Sequence, residues 1–231
     1  MFVPFHDDNH LRLIRFPYVT AGIVGVNVLV WLFFVLTGES GAYLSGVEVS
    51  YGLIPAVVND YAYLPVEYVR QPETFSYLTY AFLHLDGWHL LGNMMFLWVF
   101  GDNVEDAFGH VRFLLFYMLC AVVGAAAHAL SMPQSEATLM GASGAVSGVV
   151  VAYLLLHPRV WIWVLAFGRL PLRLPAWILL VLWIFYQFTM LVLGAVDVSY
   201  GAHAGGILAG ALLTLLLRRP GVPLFGPAPS A

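Results

Sequence analysis

Long apolar runs separated by short polar ones set the pattern of this chain. Six stretches, at about 19–37, 87–106, 111–131, 142–157, 174–194 and 199–217, have the length and apolar content of membrane-spanning helices. A seventh, 160–167, is too short to cross and is expected at a membrane interface. The connection from 38 to 72 is long, carries several tyrosines, and is punctuated by Pro55, Pro65 and Pro72. The pattern predicts an all-α membrane protein, a six-helix bundle with a long, partly membrane-associated first loop. The expected division is a short N-terminal tail at 1–18, one six-span domain at 19–217, and a short tail at 218–231.

Composition sharpens the membrane reading. Of the 231 residues, 61% are hydrophobic and 10% are charged, against about a quarter charged in soluble domains. The net charge of −4 and the scattered basic residues argue against a nucleic-acid partner. All nine basic residues are Arg. With the N-terminus inside, eight of them (Arg12, Arg15, Arg112, Arg159, Arg169, Arg173, Arg218 and Arg219) fall on the inner side, and Arg70 alone lies outside. Both termini are therefore expected in the cytoplasm. The expected membrane is a bacterial inner membrane, from the compact six-span form and the lack of a transit peptide. Cys120, the single cysteine, lies in an apolar run and reads as a buried thiol.

That topology places the intramembrane polar residues at one depth. The second, fourth and sixth spans all run from outside to inside. His89 and Asn93, Ser143, and His203 all fall in their first turns, near the outer face. The fourth span is only about 16 residues, roughly 24 Å as helix, against a hydrocarbon core of about 30 Å. Ser143 is thus expected below the outer surface, with the link before it dipping into the protein interior.

Polar side chains in lipid are costly unless they face the interior, and they are functional candidates by default. Gly141 and Gly144 leave the backbone around Ser143 uncovered, so a substrate carbonyl can approach closely. Gly144 and Gly148, Gly201 and Gly205, and Gly206 and Gly210 form Gly-x-x-x-Gly pairs that let helices pack closely. Close packing of the fourth and sixth spans would bring the Ser143 hydroxyl within reach of the His203 ring. Ser143 then reads as nucleophile and His203 as general base. The Ser143 amide with His89 and Asn93, which share a helix face, reads as an oxyanion site. No third triad member is evident: Asp197 precedes the sixth span, about one and two-thirds helical turns before His203, and could not easily support that ring from the same helix, and Asp86 has only its loop position. The expectation is a Ser–His dyad.

Leu-His-Leu-Asp-Gly-Trp-His-Leu-Leu-Gly-Asn-Met at 83–94, Phe-Gly-Asp-Asn-Val-Glu at 100–105, Gly-Ala-Ser-Gly at 141–144 and Gly-Ala-His-Ala-Gly-Gly at 201–206 resemble the rhomboid family of intramembrane serine proteases. The likeness runs from about residue 73 to 215. It implies Ser143 as nucleophile, His203 as base, His89 and Asn93 as oxyanion partners, and His84 and Glu105 as structural supports. It also implies transmembrane protein substrates cut near the membrane surface, without a metal or other cofactor. Two positions depart from the family pattern. Ser147 stands where many relatives place a tyrosine that stacks on the catalytic histidine, so another group must orient His203. Phe75-Ser76 replaces an aromatic–Arg pair.

Other readings compete. Ser143 and His203 also fit a packing serine and a satisfied interior histidine, and a catalytically silent relative that binds membrane proteins is the alternative function. A zinc site from His84, His89, His128 and His203 lacks the His-Glu-x-x-His pattern. Asp102, Glu105 and Asp106 read as a solvated or capping cluster at the inner end of the second span.

Overall fold

The computed structural model describes residues 2–37, 44–166, 169–195 and 198–226. Among them six helices of 14 residues or more carry the fold. The first, α1 (Tyr18–Leu36), follows Pro17. Two short helices in the first loop, α2 (Leu44–Tyr51) and α3 (Pro55–Val58), precede two 3-10 turns at 66–68 and 73–75, α4 (Ser76–Thr79) and a further turn at 80–82. Then come α5 (Gly87–Phe108), α6 (His110–Ser131), α7 (Ser143–Leu156), α8 (Ala176–Val192) and α9 (Tyr200–Leu217). By length and composition α1, α6 and α9 can each cross a membrane, while α7 and α8 are shorter and apolar. The exposed apolar side chains of α1 and α8, such as Leu29, Phe33, Leu182 and Phe185, give the outer surface a character suited to lipid.

The bundle is built around α7. Every residue from Gly144 to Tyr153 is buried, and α5, α6, α8 and α9 all pack on it. A helix of small and β-branched residues suits that place, because thin side chains let several neighbours approach at once. A methyl group on Gly206 would collide with the Gly144 carbonyl, and one on Gly210 would come within 2.5 Å of Gly148 Cα. So α7 and α9 touch main chain to main chain.

The chain is not wholly helical, contrary to the all-α expectation. Strands β1 (Phe2–Asp7), β2 (Trp161–Ala166) and β3 (Leu170–Pro175) form one antiparallel sheet in the order β1-β2-β3. The stretch expected as an interfacial segment is thus the central strand. Its Trp, Ile and Val residues favour extended backbone, and Ile162 and Val164 point into the core. Because the outward positions are apolar as well, the period-two alternation of an ordinary strand is hidden. Within the stretch expected as an N-terminal tail, β1 docks on β2, starting with Phe2 opposite Ala166.

Of the two readings of the acidic cluster of α5, solvated or capping, Glu105 and Asp106 take the second. Glu105 is fully buried and accepts from Val19 N at 3.0 Å, Thr20 N at 2.8 Å, Thr20 Oγ1 at 2.7 Å and faces His110 Nδ1 at 2.5 Å. Asp106 accepts from the amides of Arg12, Leu13 and Ile14. These carboxylates satisfy backbone donors at and before the start of α1, which otherwise have no intrahelical partner.

Candidate active site

Four segments converge at one end of the bundle: the start of α5, the link before α7, the first turn of α7 and the first turn of α9. Asp86 caps α5 by accepting from His89 N at 2.8 Å. Capping fixes where the helix begins, and so puts His89 and Asn93 on consecutive turns of one face. The link before α7 enters the interior, as the short fourth span suggests. Leu139 pairs with Leu53 in an isolated bridge, and Leu139, Gly141 and Ala142 are buried. The Gly141 amide donates to the Tyr80 carbonyl at 3.0 Å.

Gly141 has φ +111°, a conformation that L side chains rarely adopt. A side chain is excluded there on a second ground. A Cβ on Gly141 would lie 2.6 Å from the His89 imidazole and 3.5 Å from Asn93 Nδ2. His89 and Asn93 therefore stand beside the backbone two residues before Ser143. His84 joins them, with its Nε2 at 3.1 Å from Asn93 Nδ2 and 3.5 Å from the Ala142 amide. Its ring meets that of His89 edge-on at 5.1 Å.

Ser143 opens α7 and is half-buried. Its amide belongs to the first turn, where the backbone N–H groups lack partners within the helix. Gly144, directly after it, lies against Ala202, directly before His203: a Cβ on Gly144 would stand 3.4 Å from the Ala202 carbonyl oxygen. The main-chain contact of α7 with α9 thus brings the first turns that carry Ser143 and His203 side by side. His203 is buried, and its Nδ1 is 2.7 Å from Gln187 Oε1 on α8. Trp183 lies tilted against the ring at 6.1 Å, and Tyr200 meets it edge-on at 6.3 Å.

Ser147 spends its hydroxyl on the Ser143 carbonyl at 2.7 Å, within its own helix. The hydrogen-bond partner of His203 and one of its two ring neighbours come instead from α8. Sequence reasoning misses Gln187; the only signal is a single amide in an otherwise apolar helix, four residues after Trp183 and so on the same face. Of the two carboxylates weighed as a third triad member, Asp86 is the α5 cap and Asp197 lies outside the described residues. Glu105 stands near the end of α5, about four turns along the helix from His89. Among the described residues no three His, Cys, Asp or Glu side chains gather as a metal-binding group.

Beside this cluster a cavity of about 340 Å³ is walled by Trp31, Phe34, Val47, His84 and Met140. It offers an apolar side chain a place next to the link that leads to Ser143. An uncharged set of Ser, His and Asn side chains, with main-chain amides at a helix start, is suited to acyl transfer: a hydroxyl to attack, an imidazole to move its proton, and neutral donors for an oxyanion.

Comparison with known proteins identifies the family. The Rhomboid domain matches residues 71–220. Rhomboid protein 1, mitochondrial, of Saccharomyces cerevisiae is 30% identical over 157 residues, covering 66% of this chain and 44% of that protein. Rhomboid protease GluP of Bacillus subtilis is 30% identical over 158 residues, 68% of this chain and 29% of its own length. RHOMBOID-like protein 12, mitochondrial, of Arabidopsis thaliana is 27% identical over 158 residues, 62% of this chain and 46% of that protein. The match thus spans less than half the length of these relatives. The domain match covers well over half of this chain and includes every residue of the cluster around Ser143 and His203: the chain belongs to the rhomboid family, whose named relatives include proteases, and is a membrane protein.

Proposed function

We propose that this chain is a six-span intramembrane serine endopeptidase that hydrolyses transmembrane proteins near the outer membrane face with a Ser143–His203 dyad. The observation that carries the reading is the bare-backbone contact of α7 with α9, which sets Gly144 against Ala202. In the proposed reaction His203 takes the Ser143 proton as the oxygen bonds to the scissile carbonyl carbon. The negative oxygen is received by the Ser143 amide with His89 and Asn93. His203 then returns the proton to the leaving amine, and water repeats the sequence on the acyl-enzyme. His84, through Asn93 and the Ala142 amide, holds the oxyanion partners and the nucleophile's link together, while Glu105 supports the opposite end.

A spanning helix hides its carbonyls in internal hydrogen bonds, so substrates with weak helix formers near the outer end should be cut most readily. The glycine-rich surround of Ser143 favours a small residue before the cut. The Arg distribution supports cytoplasmic termini.

Purified wild-type and Ser143→Ala protein, incubated in detergent with a single-span substrate, test the proposal. Cleavage by the wild type alone is expected, falling as His203 takes up a proton at low pH. Equal cleavage by both ends the claim.

A further inference from the structure

We propose that Gln187 is the positioning residue of the catalytic histidine: its Oε1 accepts the Nδ1–H of His203 and thereby fixes the ring with Nε2 as the basic nitrogen. The inference rests on the protease reading and supplies a part which that reading lacks. A neutral imidazole carries one proton, and which nitrogen holds it depends on the partner of the other. A carbonyl oxygen can only accept. With Gln187 Oε1 at 2.7 Å, the proton belongs on Nδ1 and the lone pair on Nε2.

Three further observations fit the assignment. Gln187 is buried, at 4% exposure, in a helix whose other polar groups are few, and an unpaired amide there would be costly. Trp183, one turn earlier, lies against the same ring, so a single face of α8 fixes both the hydrogen bond and the tilt. Ser147, at the position from which a stacking side chain would reach, is turned to its own backbone. During turnover Nδ1–H stays on Gln187, while Nε2 alone exchanges a proton, first with Ser143 Oγ and then with the leaving nitrogen. No other side chain gains or loses a proton, and the negative charge of the tetrahedral intermediate rests on the scissile carbonyl's oxygen.

Several titratable side chains face His203. His89 on α5 and His128 on α6 are the nearest other imidazoles, Tyr200 of its own helix touches its edge, and Tyr186 of α8 stands beyond Tyr200. All are common to the wild type and the Gln187 variants, so a difference between them reports position 187.

The test compares wild type, Gln187→Leu and Gln187→Glu on one single-span substrate in detergent. Gln187→Leu removes the acceptor at similar volume, and kcat should fall about 10- to 100-fold with KM within about twofold. Gln187→Glu keeps an acceptor and adds charge that stabilises the imidazolium. It should recover most of kcat and move the acidic limb of kcat/KM upward by about one pH unit or more. Unchanged kcat in Gln187→Leu, or an unmoved limb in Gln187→Glu, overturns the proposal. Imidazole 15N spectra in a Ser143→Ala background give a readout independent of turnover. The Nδ1–H tautomer of His203 is expected where Gln187 is kept, and a mixture of tautomers where Gln187→Leu is added. A protein in which Ser143→Ala cleaves as the wild type does, yet His203 shows that Nδ1–H preference, would sink the protease reading and leave the contact standing. The same spectrum with and without the amide would sink the positioning role alone.

Discussion

Both ends of the bundle bury polar side chains, to opposite purpose. At the Glu105 end, carboxylates are spent on main chain: Glu105 and Asp106 between them accept from five backbone amides that precede or open α1. At the Ser143 end, side chains pair mostly with side chains, His203 with Gln187 and His84 with Asn93, around small residues and a cavity. A carboxylate saturated by amides is a clamp, because it has nothing left to give a substrate. Neutral groups held from one side keep a second valence for chemistry. Burial and polarity therefore do not separate structure from function here, whereas the identity of the partner does.

The comparison can be broken at three places. Glu105→Ala should have the largest effect, lowering stability by about 3–5 kcal/mol, since it strands the Val19 and Thr20 donors and the His110 ring. Thermal unfolding in detergent measures it, and the specific activity of the folded fraction should hold. Asn93→Ala is the mirror case. It should cost kcat about 100-fold, or about 3 kcal/mol of barrier, with a stability change near 1 kcal/mol. A variant at either end that trades these signatures would erase the distinction.

How far the sequence displays each end follows from the same contrast. Ser143, His89, Asn93 and His203 stand out because polar residues at one depth in apolar helices need a reason. Glu105 is legible as a structural support, but its amide partners are hidden, because charged residues are rarely fully buried and the backbone amides that hold them leave no mark in the sequence. Gln187 escapes notice because one amide without a spacing partner signals nothing until α8 is seen against α9. The sheet is hidden because its outer strand and its centre lie some 160 residues apart, and an all-apolar stretch conceals its alternation.

The third and smallest effect concerns β1. Burial raises the Asp7 carboxyl to about 6, against the opposing hydrogen bond from Tyr153 at 2.5 Å. A group held above its unfolded value of 3.8 favours the folded chain most below that value, and the benefit is lost as pH rises through about 6. Wild-type stability should therefore decline by about 2–3 kcal/mol between pH 4 and 7 from this group. Asp7→Asn should flatten that slope, as melting curves at a series of pH values would record.

The contact between α7 and α9 has one more consequence. Where two helices meet on bare peptide groups, no rotamer stands between them, and nothing at the crossing can hop or repack. The remaining play is that of bond angles and torsions, so the spacing of residues 143 and 203 inherits its tolerance from covalent geometry. A working gap set in that way should keep its width when the surrounding lipid thickens, thins or changes its order.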